Sequence, residues 1–118
     1  MKNLSTENIT VIAMTWLALS NLGFRIQDLD LSEPGYIKHY GPHTVYTFSV
    51  RLRDDEVFPE DDFCRLMNHY SEISNSVKPH CYGIEEFPSQ VFRFDPADGT
   101  GKSTPLENFH DVYVSVFT

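Results

Sequence analysis

Between Ile9 and Leu22 apolar residues recur at helical spacing. Ile9, Ile12, Ala13, Trp16 and Leu19 form one stripe, and Val11, Met14, Ala18 and Leu22 widen it. Ser5 and Thr6 precede this run as helix-capping residues, and Glu7 places a negative charge where a helix dipole favours it. Asn21 and Gly23 supply the exit, because glycine accepts the left-handed conformation that closes a helix. A helix of such apolar girth is expected to be covered on more than one side, by a sheet and by a partner.

The pattern then changes period. Phe24 to Leu31 alternates in part, and Pro34-Gly35 marks a turn. Tyr36 to Tyr40, Gly41-Pro42 and Thr44 to Arg53 predict a hairpin whose second arm has the clearest period of two in the chain. Tyr46, Phe48, Val50 and Leu52 share its core face, and Val45, Thr47, Ser49, Arg51 and Arg53 share a wetter one. A second helix opens near Pro59, which lacks the amide proton a first turn cannot use. Its buried face is Phe63, Leu66, Met67, Tyr70, Ile73 and Val77, and Lys78-Pro79 closes it.

Cys81 to Phe87 and Gln90 to Asp95 predict strands separated by Pro88-Ser89, and Pro96 to Pro105 reads as a loop. Asp111 to Thr118 ends the chain as a strand, with Val112, Val114 and Val116 on one face and Tyr113, Ser115 and Phe117 on the other. Apolar residues on both faces suit an interior position. The predicted fold is α+β, a mainly antiparallel sheet of four to six strands with two helices on one face, in a single domain spanning residues 1–118.

Composition narrows the function classes. Apolar residues at 41% exclude a disordered chain, and nine Phe, six Tyr and one Trp give a core enough volume. Seventeen acids against nine bases leave a net charge of −8, which argues against direct binding of nucleic acid through its phosphates. The run from Ile9 to Leu19 is too short to span a bilayer. Ala18-Leu19-Ser20 has the form of a signal cleavage site, but the run contains Thr10, Thr15 and Trp16, and Glu7 cancels Lys2 ahead of it. An uncleaved cytoplasmic protein with no membrane role is expected, with Cys64 and Cys81 reduced.

Two nucleotide or metal motifs fail on context. Gly101-Lys102-Ser103-Thr104 ends like a phosphate-binding loop, but Pro96 stands where the first glycine belongs and no helix can follow. As a calcium loop starting at Asp95, the segment has Ala97 and Leu106 where ligands are needed. The five histidines and two cysteines show no ligand pair at suitable spacing on one element, so neither metal nor other cofactor is expected.

The strongest local anomaly is electrostatic. Asp54, Asp55, Glu56, Glu60, Asp61 and Asp62 place six carboxylates in nine residues with no base among them. The last three suit the positive end of a helix dipole, and a solvated loop accounts for the rest. The functional reading is an acidic knob that meets a basic protein partner and speeds association. Tyr36 and Tyr40 join it as candidate partner-binding residues, since tyrosine combines buried area with a hydroxyl. The leading expectation is a non-catalytic acidic binding protein, an inhibitor or immunity-type antagonist covering a basic target such as a nuclease. The alternatives are a small secretion or assembly chaperone that binds a client segment, and a small enzyme using Cys64 or Cys81 with a histidine.

Overall fold

The computed structural model describes residues 6–31, 35–37, 41–43, 45–74 and 80–117. The order of elements is α1 (Thr6–Asn21), β1 (Ile26–Leu31), β2 (Gly35–Ile37), β3 (Gly41–His43), β4 (Tyr46–Arg53), α2 (Glu60–Ser74), β5 (His80–Asp95) and β6 (Thr100–Phe117). The four longer strands form an antiparallel sheet in the order β1-β4-β6-β5, so β4 and β6 are interior. Both helices cover one face of this sheet, as the patterning predicts.

The core follows from the period of two. Tyr46, Phe48, Val50 and Leu52 of β4 and Val112, Val114 and Val116 of β6 all point to the helical layer and are buried. The register pairs Phe48 with Val114 and Val50 with Val112, which stacks these side chains in rows. Val11, Met14, Ala18 and Leu19 of α1 and Phe63 and Met67 of α2 complete the cluster. Phe58, in the segment before α2, stacks on Phe24 at 5.5 Å and meets Phe63 at 5.8 Å, closing the core at that end.

Gly23 closes α1 with φ +89°. Its amide bonds Ser20 O and that of Phe24 bonds Leu19 O, which satisfies two terminal carbonyls. The buried face of α1 differs from the expected one. Val11, Met14, Thr15, Ala18 and Leu19 are buried, while Ile9, Ala13 and Leu17 are exposed; Trp16 is half exposed, with its ring edge-on to Phe48 of the core at 6.4 Å. With apolar residues on every side, packing against the sheet decides the rotation, and the Thr15 hydroxyl is accommodated by a bond to Val11 O at 2.8 Å. On α2, Phe63 and Met67 are buried as expected, but Ile73 is 69% exposed. Val77 and the Lys78-Pro79 stop lie outside the described residues, as does the Ser5 cap.

Three strand boundaries also differ. Gly41 and Pro42 form no turn; they belong to β3, where Pro42 pairs with Tyr36. Strand β4 pairs instead with β1 and β6. Pro88-Ser89 does not divide β5, which runs unbroken to Asp95 with a register shift at that point. The loop expected over Pro96–Pro105 shrinks to a turn at residues 96–99, because Thr100 to Pro105 pairs with Gln90 to Asp95.

That last pairing builds an arm. Contacts between β4 and β6 end at Arg53 and Phe109, so beyond that level β5 and β6 continue as a two-stranded ribbon. Six residues of extended chain reach about 20 Å. The molecule is correspondingly long, 53 × 35 × 24 Å, with a radius of gyration of 16.2 Å. A compact chain of this length would have about 13.5 Å.

Candidate functional site

The six loop carboxylates are all exposed. Asp54 and Asp55 make the turn after β4, and the Arg53 amide donates to Glu56 Oε1 at 3.0 Å, which fixes Glu56 back onto the strand end. Glu60, Asp61 and Asp62 occupy the first turn of α2, where the helix dipole favours them. Asp62 accepts from Arg65 at 3.2 Å, an exposed contact worth little.

Distant segments add to this acidic end. Between the pairs Pro88–His110 and Gln90–Pro105, the four residues Leu106 to Phe109 of β6 oppose only Ser89 of β5. Such a bulge bends the ribbon and throws side chains out of the ladder. Asn108 takes φ +69°, a conformation asparagine tolerates, and its carbonyl accepts the Asp54 amide at 3.0 Å. The acidic turn is thereby tied to the root of the arm.

A depression of 360 Å³ opens there. Phe87, Pro88, Leu106 and Phe109 line it together with the carboxylate residues Asp54, Glu86 and Glu107. His110 also lines it, with Nδ1 3.4 Å from Asp54 Oδ1, an ion pair when the imidazole is protonated. A second depression of 470 Å³ shares Asp54, Asn108 and Phe109 and is bounded by Arg53 and Asp55. Such a place suits a side chain that is apolar along its stem and cationic at its tip.

A buried polar network holds the root in position. Asp111, 8% exposed, accepts from Ser89 Oγ at 2.7 Å and from Arg51 Nε at 2.9 Å. Arg51 Nη2 reaches Asp111 Oδ2 and the Gln90 carbonyl, each at 3.4 Å. One carboxylate thus joins β4, β5 and β6 where the sheet gives way to the arm.

The sheet face without helices carries a shallow depression of 660 Å³ lined by Thr47, Gly83, Glu85, Phe87, Tyr113 and Ser115. Thr47 and Ser115 hydrogen-bond across it at 2.9 Å, and Phe87 meets Tyr113 edge-on at 5.5 Å. On the arm, Phe92 and Phe94 lie on one face opposite Ser103 and Gly101, and are 67% and 63% exposed. The Phe92 ring leaves no space for a Cβ at Gly101. Arg93 and Lys102 pair across the other face of the ribbon.

Of the tyrosines proposed from sequence, Tyr36 lies in β2 with its side chain outside the described residues, and Tyr40 falls outside them altogether. Tyr46 belongs to the core, where burial pushes its hydroxyl pKa up and the nearby Asn8 side chain partly offsets the rise; the hydroxyl itself is buried without a hydrogen-bond partner among the described residues. Lys102 sits in a strand, with no helix following it, and Asp98 accepts from the Thr100 amide and hydroxyl, which hold its carboxyl below the usual range. Among the described residues no three His, Cys, Asp or Glu side chains converge as metal ligands, and no helix is long and apolar enough to cross a membrane. Cys64 and His69 are both exposed on α2.

Sequence reasoning finds the contiguous carboxylates and misses Glu86, Glu107 and Phe109, which arrive through strand register. The clustered Pro88, Pro105 and Asn108 are the sequence trace of that break in the ladder. Compared with known proteins, the chain matches no family model, no curated protein and no solved structure.

Proposed function

We propose that this protein is a non-catalytic binding protein, of the inhibitor or immunity kind, that covers a cationic surface on another protein with its acidic end. The observation that supports this reading is the depression at the arm root, whose lining combines apolar side chains with three carboxylates. An arginine or lysine entering there buries its methylenes on Leu106 and Phe109 and meets Asp54, Glu86 or Glu107 with its charge. The adjoining Asp55, Glu56, Glu60, Asp61 and Asp62 extend the negative field, which accelerates encounter with a basic partner before contact. The exposed Phe92 and Phe94 supply apolar area on the projecting arm, as buried aromatic anchors do in protein interfaces.

The test begins with capture from the native host at low salt and continues with the purified partner in stopped-flow mixing. Reversing Asp54, Asp55 and Glu56 to Lys should slow association about tenfold or more at low salt, since steering depends on the summed field. The difference should shrink toward 1 M salt, as the Debye length falls from about 10 Å at 0.1 M to about 3 Å. Leu106→Asp should instead raise the dissociation rate. A triple reversal that binds as fast as the parent would reduce the cluster to a solvated loop.

A further inference from the structure

The face of the sheet turned away from the helices is built from alternate positions of three strands. Gly83, Glu85 and Phe87 of β5 share it with Tyr113 and Ser115 of β6 and Thr47 of β4. The register sets Gly83 against Ser115, Glu85 against Tyr113 and Thr47 against Ser115, so these residues meet around one depression of 660 Å³. Small-molecule sites occupy about 300–1,000 Å³. Between the pairs Cys81–Val116 and Gly83–Ser115, Tyr82 is an extra residue, a bulge of the kind that re-aims side chains beside binding sites. Gly83 follows it, and a Cβ added there would meet no atom within 4 Å. The absent side chain therefore leaves space in the depression and relieves no close contact in the fold.

The lining selects the charge of an occupant. Glu85 is exposed, and among the described residues it is the one ionised side chain that lines the depression. Asp30 pairs with Thr47 and puts a second carboxylate on the same face one strand away. Arg51 shares this face but is committed to Asp111 at 2.9 Å, and Arg53 lies six residues beyond Thr47, about 20 Å along the strand. The local field thus favours a cation. The rings narrow the choice further. Phe87 and Tyr113 stand edge-to-face, 5.5 Å apart and 73° from parallel, and Phe87 is 48% exposed. Two rings at that angle make a corner, where an alkylammonium gains from the negative face of a ring as well as from the carboxylate. At the other end of the depression the Thr47 and Ser115 hydroxyls bond each other at 2.9 Å. That bond uses one of their two O–H donors and leaves the second donor, with spare lone pairs, for a ligand.

We infer that this face binds a small organic ammonium compound, its cation held between Glu85 and the Phe87–Tyr113 corner and a polar group turned to Thr47 and Ser115. The site is independent of the acidic end of the molecule, since Phe87 alone of its lining residues also borders the depression at the arm root. Its openness to solvent keeps the affinity modest, with a Kd of about 1 mM.

Choline chloride is the probe, titrated to about 50 mM into the full chain at constant ionic strength and followed by amide NMR shifts. The amides of Gly83, Glu85, Tyr113 and Ser115 should move along one saturable curve. The neutral isostere of choline, with a tert-butyl group in place of the trimethylammonium, should bind about tenfold more weakly or worse. Glu85→Gln and Phe87→Leu should each weaken choline about fivefold or more. Gly83→Leu should abolish binding with the fold retained, because its side chain enters the open space. A parent chain without saturable shifts overturns the proposal. So does an isostere that binds as well as choline, and so does choline binding that is indifferent to both Glu85→Gln and Gly83→Leu. Nα-acetyl-lysine amide binding about tenfold more tightly than choline would assign the site to protein side chains and overturn the small-molecule reading. Should Gly83→Leu lose its amide dispersion, Glu85→Gln, at an exposed position, decides the matter.

Discussion

Replacing Asp111 by alanine should cost this protein far more than an average polar substitution, because one carboxylate serves three strands. Asp111 is 8% exposed and accepts from Ser89 Oγ at 2.7 Å and Arg51 Nε at 2.9 Å. Removing one partner of a fully buried ion pair costs about 3–5 kcal/mol. The Arg51 side chain is 30% exposed, so water can reach the stranded guanidinium and the ionic part falls to about 2 kcal/mol. Ser89 is fully buried, and a hydroxyl left there without its acceptor adds about 1 kcal/mol or somewhat more. The expected loss is therefore about 3 kcal/mol. Asp111→Asn keeps the shape and one acceptor oxygen while losing the charge, and should cost about half as much.

Urea unfolding followed by far-UV circular dichroism measures the loss, and Arg51→Met separates its parts. If the penalty comes from a stranded charge, the double variant Arg51→Met/Asp111→Ala should be less destabilised than the sum of the singles, by about 1–2 kcal/mol. Native-state hydrogen exchange adds a positional readout. Amides of Gln90 to Asp95 should lose protection in Asp111→Ala before those of Phe48 and Val50, since the network sits at the base of the ribbon. A loss below about 0.5 kcal/mol, or strict additivity in the double variant, would refute the account of this network as the brace of the arm.

Two further outcomes follow from the core. The buried Tyr46 hydroxyl has a raised pKa in the folded state, so its contribution is present below the ordinary tyrosine value near 10 and lost as pH climbs from there through the folded value. Alkaline titration of stability should therefore fall above about pH 10, less steeply in Tyr46→Phe; an unchanged slope in that variant would assign the loss to other groups. Phe63→Ala should cost about 3–5 kcal/mol in urea unfolding, whereas Ile73→Ala, at 69% exposure, should change stability by less than about 0.5 kcal/mol. Equal effects at the two positions would show that α2 is rotated from the orientation described.

What the sequence discloses and what it hides divide along the range of the interactions. Strand β4 is legible because Tyr46, Phe48, Val50 and Leu52 alternate with polar neighbours, so only one face can enter a core. The buried Phe63 and Met67 of α2 are legible for the same reason at helical period. Helix α1 is ambiguous because apolar residues occupy all its sides, and local periodicity cannot choose between Val11-Met14-Ala18 and Ile9-Ala13-Trp16. Only the sheet chooses. Gly41-Pro42 reads as a turn from its composition, yet Pro42 pairs with Tyr36, since a short two-stranded sheet can place a proline where no ladder amide is needed. The arm escapes notice because glycine, serine, threonine and proline between Pro96 and Pro105 imitate a loop, and its pairing partner lies on β5.

The acidic site shows the same division within a few residues. Asp54 to Asp62 can be read as a cluster because the carboxylates are adjacent in the chain, but adjacency alone describes a solvated loop. What makes a concave feature is the break in the sheet at Pro88 and Leu106 to Phe109, which brings Glu86 and Glu107 beside Asp54. Several departures from regular structure coincide there: two prolines, a left-handed Asn108 and four residues opposing one. Each weakens the ladder, and each is compensated nearby, by the Asp54 amide on the Asn108 carbonyl and by the Arg51–Asp111–Ser89 network. Irregularity that is concentrated and braced in this way departs from a fold whose remaining rules agree with one another, and it is the reason the binding function is proposed at this place. A hairpin serving only to join β5 to β6 could have turned where β4 ends and would need neither the bulge nor the buried carboxylate. Among the described residues the arm and its root are therefore the part least explained by folding, and the part on which the proposed binding function rests.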